Sequence, residues 1–170
     1  GTYAEAPASR VGGVKIKADD PPRAVVVAPP AGSPGLRISH TDVVVEGLVF
    51  RGGVHGIRAE GADGLVIRDC TAVAQAANGF TVIATEGVTI ESSVAASSGS
   101  RGILLDATSN AYVRNVLVHD AGEWGIGLEN VPTAGTLPPV STGNVIAFVT
   151  VAFSGGGTGG GIRLRNAIAE

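Results

Sequence analysis

The chain is 170 residues long with a formal net charge of −3, the length of one domain. Its 12 Lys and Arg residues form no basic cluster, which argues against a nucleic-acid partner. A single cysteine, Cys70, excludes an intrachain disulfide, and the longest apolar run, residues 145–153, is far too short to span a bilayer.

Apolar residues make up 44% of the chain but aromatics only 4%, and 26 glycines and nine prolines interrupt it too often for long helices. Short β-branched runs between glycines favour strands. No signal peptide opens the chain; Gly1-Thr-Tyr-Ala-Glu5 reads as the middle of a protein, one that a leader or further domains could flank. Val14-Lys-Ile-Lys17 and Ala24-Val-Val-Val27 are strand candidates, divided by a turn at Asp19-Asp-Pro-Pro22, and residues 29–35 form a loop. Gly35-Leu-Arg-Ile-Ser39 then begins a pattern that recurs at His55-Gly-Ile-Arg-Ala-Glu60, Asn78-Gly-Phe-Thr-Val-Ile83, Arg101-Gly-Ile-Leu-Leu-Asp106 and Trp124-Gly-Ile-Gly-Leu-Glu129. Gly56, Gly79, Gly102 and Gly125 are spaced by 23 residues each time. A second segment keeps step at Leu65-Val-Ile67, Val88-Thr-Ile90 and Ala111-Tyr-Val113. A fixed period of this length marks a solenoid. Residues 131–141 form an inserted loop, after which the pattern resumes at Asn144-Val-Ile-Ala147 and ends at Gly161-Ile-Arg-Leu-Arg165.

Each turn reads as three short strands whose equivalents pair in parallel from turn to turn. Alternation along a strand assigns the faces. Ile57 and Ala59, Phe80 and Val82, Ile103 and Leu105, Ile126 and Leu128, and Ile162 and Leu164 point inward; so do Leu48/Phe50, Cys70/Ala72, Ser93/Ala95, Val116/Val118 and Val149/Val151. Cys70 is then a small core residue. Outward on the second strand, Glu46, Arg68, Glu91 and Arg114 alternate in sign, and Asp69, Ser92 and Asn115 follow at the corner, where short polar side chains suit a turn.

Turns of about 23 residues, each with a Gly-apolar-x-apolar strand and a Val-x-Ile-x-Asp/Asn corner, resemble the right-handed parallel β-helix repeats of the pectin-lyase-like superfamily over residues 35–169. The opening Gly1-Thr-Tyr-Ala-Glu5 is similar to the start of bacterial surface proteins of this type. The resemblance implies an all-β fold, one right-handed parallel β-helix of about six turns filling residues 1–170, in a secreted or cell-surface protein. It implies less about activity, since the superfamily includes lyases, epimerases, hydrolases, tailspikes and inert stalks. Of the polygalacturonase motifs, His40-Thr-Asp42 and Val54-His-Gly56 are the nearest matches, and no complete catalytic motif is present.

The outward face of the Gly-apolar strand is where chemistry is expected. One column reads Ser39, Glu60, Ile83, Asp106, Glu129, Arg165; another reads Arg37, Arg58, Thr81, Leu104, Gly127, Arg163. Asp106 beside Glu129 sets two carboxylates on adjacent rungs, a pair that raises one pKa or takes a cation such as Ca²⁺. The lyases of the superfamily neutralise a uronate carboxylate before a base removes the neighbouring proton, and His55, Arg58 and Arg101 are the candidates for those roles. Arg58, Asn78, Arg101 and Trp124 are the candidate contacts to an acidic polysaccharide. A purely structural account pairs Glu129 with Arg165, and Glu60 with Arg58 or Arg37, and lets Trp124 pack against the 131–141 loop. The rival function is a stalk or filament unit that associates end to end through open coil ends.

Overall fold

The computed structural model describes residues 1–18, 25–130, 141–152 and 159–166, residue 166 by its backbone alone. Among them are nineteen strands and no helix. Five complete turns each contribute one long strand and two short ones. They are β4 (Leu36–Ile38), β5 (Val44–Glu46) and β6 (Leu48–Arg51); β7 (His55–Glu60), β8 (Val66–Arg68) and β9 (Thr71–Val73); β10 (Asn78–Ile83), β11 (Thr89–Glu91) and β12 (Val94–Ala96); β13 (Arg101–Asp106), β14 (Tyr112–Arg114) and β15 (Leu117–His119); and β16 (Trp124–Asn130), β17 (Val145–Ala147) and β18 (Thr150–Ala152). Before them come β1 (Thr2–Tyr3), β2 (Lys15–Lys17) and β3 (Val25–Val27), and after them β19 (Gly160–Asn166). Equivalent strands stack in parallel into three sheets, ordered β4-β7-β10-β13-β16-β19, β2-β5-β8-β11-β14-β17 and β1-β3-β6-β9-β12-β15-β18. The first is the long-strand sheet, with strands of six or seven residues from β7 onward, against two to four in the other two.

The count of turns is about five rather than the six expected, because β19 opens a further turn without completing it among the described residues. The strand candidates at residues 14–17 and 24–27 stand as β2 and β3, but the start of the chain is arranged in a way that the repeat does not show. Thr2 and Tyr3 pair with β3, and Ala8 bridges Arg37 on β4, so residues 1–17 follow the path of an irregular turn. No repeat marks it. Residues 131–140 of the inserted loop lie outside the described residues.

The repeated glycine has a steric cause. At Gly79 a methyl group would stand 2.6 Å from the carbonyl oxygen of Gly102 and 2.9 Å from Cβ of Ala95. The same obstruction recurs up the column: Gly35 faces the carbonyl of Gly56, Gly56 that of Gly79, Gly102 that of Gly125 and Gly125 that of Gly161, at 2.6–2.7 Å. The requirement is close backbone approach, since none of these glycines has a positive φ. The corner after the second strand differs. Gly47, Asp69, Ser92, Asn115 and Phe148 all have φ between 49° and 71°, the left-handed region that Gly, Asp and Asn tolerate best. Asn115 also donates from Nδ2 to Ser92 Oγ at 3.3 Å, one rung below.

Inside the three sheets lies a single apolar column. Ile57, Ala59, Phe80, Val82, Ile103, Leu105 and Ile126 are buried, as are Phe50, Ala72, Ala95 and Val118 from the third sheet. Each large side chain removed from water in this way contributes on the order of 1.5–3 kcal/mol. Cys70 belongs to this column; burial pushes its thiol pKa up to about 11. The alternation ends at the last strand, where Ile162 and Leu164 keep the inward register but are 47% and 75% exposed. On the second sheet the charge ladder forms in register, Glu46 opposite Arg68 and Glu91 opposite both Arg68 and Arg114. Arg68 Nε donates to Glu46 at 2.7 Å and Arg114 Nε to Glu91 at 2.8 Å, while Lys15 reaches Glu46 at 2.6 Å.

Substituting Gly79 by Ala tests the steric account. The added methyl forces two backbones and Ala95 apart, and overpacking of this kind costs about 1–3 kcal/mol. Urea unfolding of Gly79→Ala should show that loss, and unchanged stability would mean that the glycine column has some other cause.

Candidate functional site

The long-strand sheet presents the widest regular face, and all the site residues picked out by the sequence lie on it. Its register pairs Arg37 with Arg58, Arg58 with Thr81, Thr81 with Leu104, Leu104 with Gly127 and Gly127 with Arg163. Beside this column, Glu60 pairs with Ile83, Ile83 with Asp106, Asp106 with Glu129 and Glu129 with Arg165. The residues preceding the glycines pair as His55 with Asn78 and Arg101 with Trp124. The two carboxylates Asp106 and Glu129 do stand on adjacent rungs.

Asn78 is an internal brace. It is 5% exposed, and its Oδ1 accepts the backbone N–H of Arg101 at 3.1 Å. That contact fixes the amide, so Nδ2 faces Thr81 and donates to Oγ1 at 3.1 Å. Thr81, itself 1% exposed, therefore receives one hydrogen bond and has its own hydroxyl proton to give. The remaining partner is Nδ1 of His55 at 3.1 Å. With Nδ1 as the acceptor that proton is satisfied, and this assignment puts the proton of the neutral imidazole on Nε2. Burial first, and then the neighbouring Arg58 guanidinium, hold the His55 pKa below its ordinary value of 6.5.

Arg101 is committed in the opposite direction. Its Nε and Nη2 donate to Glu129 Oε1 at 2.9 and 2.8 Å, and its Nη1 reaches Ser100 Oγ at 2.9 Å and Glu123 at 3.3 Å. Glu129 is only 4% exposed, and its charge is met within the protein by the guanidinium. The path is open because residue 127 is glycine. A methyl there would lie 3.0 Å from Cδ and 3.1 Å from Nε of Arg101. Among the described residues no group of three or more His, Cys, Asp and Glu side chains converges to hold a metal ion.

At the two ends of the face the arrangement is looser. Arg58 makes one ion pair, Nη2 to Glu60 at 3.2 Å, and its shielded Nε has no partner. Arg37 is exposed, is stacked on Arg58 and makes no ion pair with the described residues. At the other end Arg163 lies over the Trp124 ring, 5.4 Å from its centroid, and that ring also occupies the space beside Gly160. His40 and His119 serve locally, the first beside Ser9 Oγ at 2.9 Å and the second beside Asp120 at 2.8 Å.

Sequence reasoning thus located the face but not the network. Thr81 and Gly127 were column positions without an assigned role, although a glycine at an outward strand position is itself a signal of close approach. The bond from Arg101 to Glu129 runs diagonally across 28 residues, so rung-by-rung pairing does not reveal it.

Two consequences are measurable. Arg101→Met strands a buried carboxylate and should destabilise the fold by about 3 kcal/mol, most of it recovered when Glu129→Gln is added. Equal loss in the single and double variants would mean that the ion pair is not the cause. The depressed pKa of His55 makes the unfolded chain bind the proton more readily. Its stabilising contribution is therefore complete above about 6.5 and is lost as pH falls through the folded-state value. The stability gap between the wild type and His55→Gln should narrow as the solution is acidified from neutrality, and a gap that widens would refute the assignment.

Residues 30–166 match the family model described as the right-handed β-helix region. No curated protein is similar to the chain at a significant level. Among solved structures it is similar to an alginate lyase from Paenibacillus sp. str. FPU-7, with a TM-score of 0.75 at 13% sequence identity. The alignment covers 96% of this chain and 65% of that one, so the chain spans about two thirds of the length of the lyase. At this identity the likeness speaks for the fold alone. With 137 of its 170 residues inside the family model, the chain belongs to the right-handed β-helix family.

Proposed function

We propose that this β-helix is an extracellular or cell-surface module that binds an acidic polysaccharide along the outer face of its long-strand sheet. One observation carries the reading. The six strands of that sheet hold five arginines, Arg37, Arg58, Arg101, Arg163 and Arg165, against three carboxylates, Glu60, Asp106 and Glu129, in a chain whose net charge is −3. The second sheet carries an equal surplus, Lys15, Lys17, Arg68 and Arg114 against Glu46 and Glu91, but takes it up in a ladder of alternating sign; on the long-strand sheet Arg37 and Arg58 are left side by side, on rungs about 4.8 Å apart that suit a long polyanion. The alginate lyase likeness supports the same polymer class by analogy of fold.

Binding, rather than cleavage, is the part the side chains support. Arg101 is occupied by Glu129, and Asn78 by Arg101 and Thr81. His55, with its proton on Nε2, offers a donor rather than a base. Arg58 and the exposed Arg37 of β4 and Arg165 of β19 are left to meet acid groups. Trp124, already stacked under Arg163, adds an apolar surface at the far end. A calcium ion on Asp106 and Glu129 would compete with Arg101 for Glu129 and would serve as a bridge to the polymer.

Calorimetry with polygalacturonate and polymannuronate, each with and without calcium, tests this. The expected outcome is salt-sensitive binding to both acidic polymers, none to neutral dextran, and no rise in the ultraviolet absorbance of unsaturated uronate ends. Failure of every acidic polymer to bind at low salt would reject the reading, and an absorbance rise would replace binding with lyase chemistry.

A second reading, end-to-end association, is favoured by the exposure of Ile162 and Leu164 on β19. Sedimentation velocity over a range of concentrations decides it. Growing rods, abolished by Leu164→Lys, would support association, and a concentration-independent monomer would dismiss it.

A further inference from the structure

Resting on the polysaccharide reading, one part of the face can be assigned more closely. Arg37 and Arg58 are rung partners on β4 and β7, and like charges directly opposite each other destabilise a sheet. On the second sheet, by contrast, every rung from Glu46 to Arg114 alternates in sign. The fold can therefore arrange compensation, and here it does not. Glu60 meets Arg58 through one exposed contact at 3.2 Å, and Arg37 has no ion-pair partner among the described residues. Next to this surplus, Thr81 pairs with Arg58 and bonds Nδ1 of His55.

We infer that Arg37, Arg58 and His55 form an oxyanion subsite at the first two rungs of the long-strand sheet, in which Thr81 and Asn78 are positioning residues that hold His55 with its Nε2–H outward. The ligand group is a carboxylate or sulfate carried by a sugar. Two guanidiniums supply charge and paired donors, and the neutral imidazole adds a directed one. The relay behind it matters because a histidine free to exchange tautomers would present a lone pair to the anion for part of the time. Thr81 cannot reverse its hydroxyl without leaving its proton without an acceptor in a place that is 1% exposed. The charged groups around His55 are few: Arg58, and through it Glu60, on its own strand, and Arg37 on β4. Strand β10, against which it packs, supplies only Thr81 and Asn78 and no titratable side chain. Glu60, exposed and held by one contact to Arg58, is the only carboxylate among these groups.

The test uses the full chain, labelled with nitrogen-15. Long-range proton–nitrogen spectra of the His55 ring should give the Nε2–H pattern in the wild type, mixed tautomers in Thr81→Val and the wild-type pattern again in Thr81→Ser. Polygalacturonate and dextran sulfate serve as the carboxylate and sulfate probes, with sodium sulfate as the free ion. Arg37→Gln and Thr81→Val should each weaken binding of the preferred probe about tenfold, the equivalent of one charge-assisted hydrogen bond. Arg37→Gln should at the same time raise the melting temperature at low salt, because it removes a repulsion. An Nδ1–H pattern in the wild type, or undiminished binding in both variants, overturns the subsite. The two levels of the argument separate cleanly. Polymer binding that ignores both substitutions keeps the binding face and rejects this subsite. Saturable movement of the His55 signals by sulfate, with no polymer bound, keeps the subsite and rejects the polysaccharide.

Discussion

The constraint that recurs on every rung of the long-strand sheet is the contact between one entry glycine and the next. Gly35, Gly56, Gly79, Gly102 and Gly125 each lie so near the carbonyl above that a methyl group would stand 2.6–2.7 Å from it. This approach occurs where the chain enters the sheet from the corner, and it sets how tightly the turn closes. The apolar column follows from it. Phe50 beside Gly35, Ala72 beside Gly56, Ala95 beside Gly79 and Val118 beside Gly102 reach across the narrow interior to the backbone of the facing strand. A bulkier entry residue would widen the coil and open voids along the whole column.

Because the interior is satisfied by so few positions, the outer face is largely released from the demands of folding. The second sheet uses this freedom for a ladder in which Lys15, Arg68 and Arg114 meet Glu46 and Glu91. The long-strand sheet uses it differently. Its polar groups are joined diagonally, from His55 through Thr81 and Asn78 to Arg101 and on to Glu129. It leaves like charges together at Arg37 and Arg58. Two sheets of one solenoid, built on the same backbone rule, thus treat charge in opposite ways.

Much of the architecture was readable in advance because a solenoid states its rule several times. Gly56, Gly79, Gly102 and Gly125 fix the period, and alternation from them correctly assigns Ile57, Phe80, Ile103 and Ile126 to the core. The corner residues Asp69, Ser92 and Asn115 were legible as turn formers, whereas Phe148, the next in that column, takes the same left-handed conformation against its own preference and is 87% exposed. The irregular N-terminal turn was not legible, since a segment tied in by an isolated bridge at Ala8 obeys no period. The adjacency of Asp106 and Glu129 was legible as a rung pair. The arginine that neutralises Glu129 was not, because its side chain crosses the empty position at Gly127 to a residue of β16 that is not its rung partner.

The diagonal wiring also bears on how such a protein can change over generations. A glycine column accepts any turn that obeys it, so duplication or loss of a whole repeat by unequal recombination leaves the backbone pairing intact. Between His55 and Glu129 the same event would be damaging. The linked side chains span β7, β10, β13 and β16, and an extra or missing coil would separate a donor from its acceptor. Gain or loss of a coil at the flanks would leave this wiring intact, whereas within residues 55–130 it would cut it.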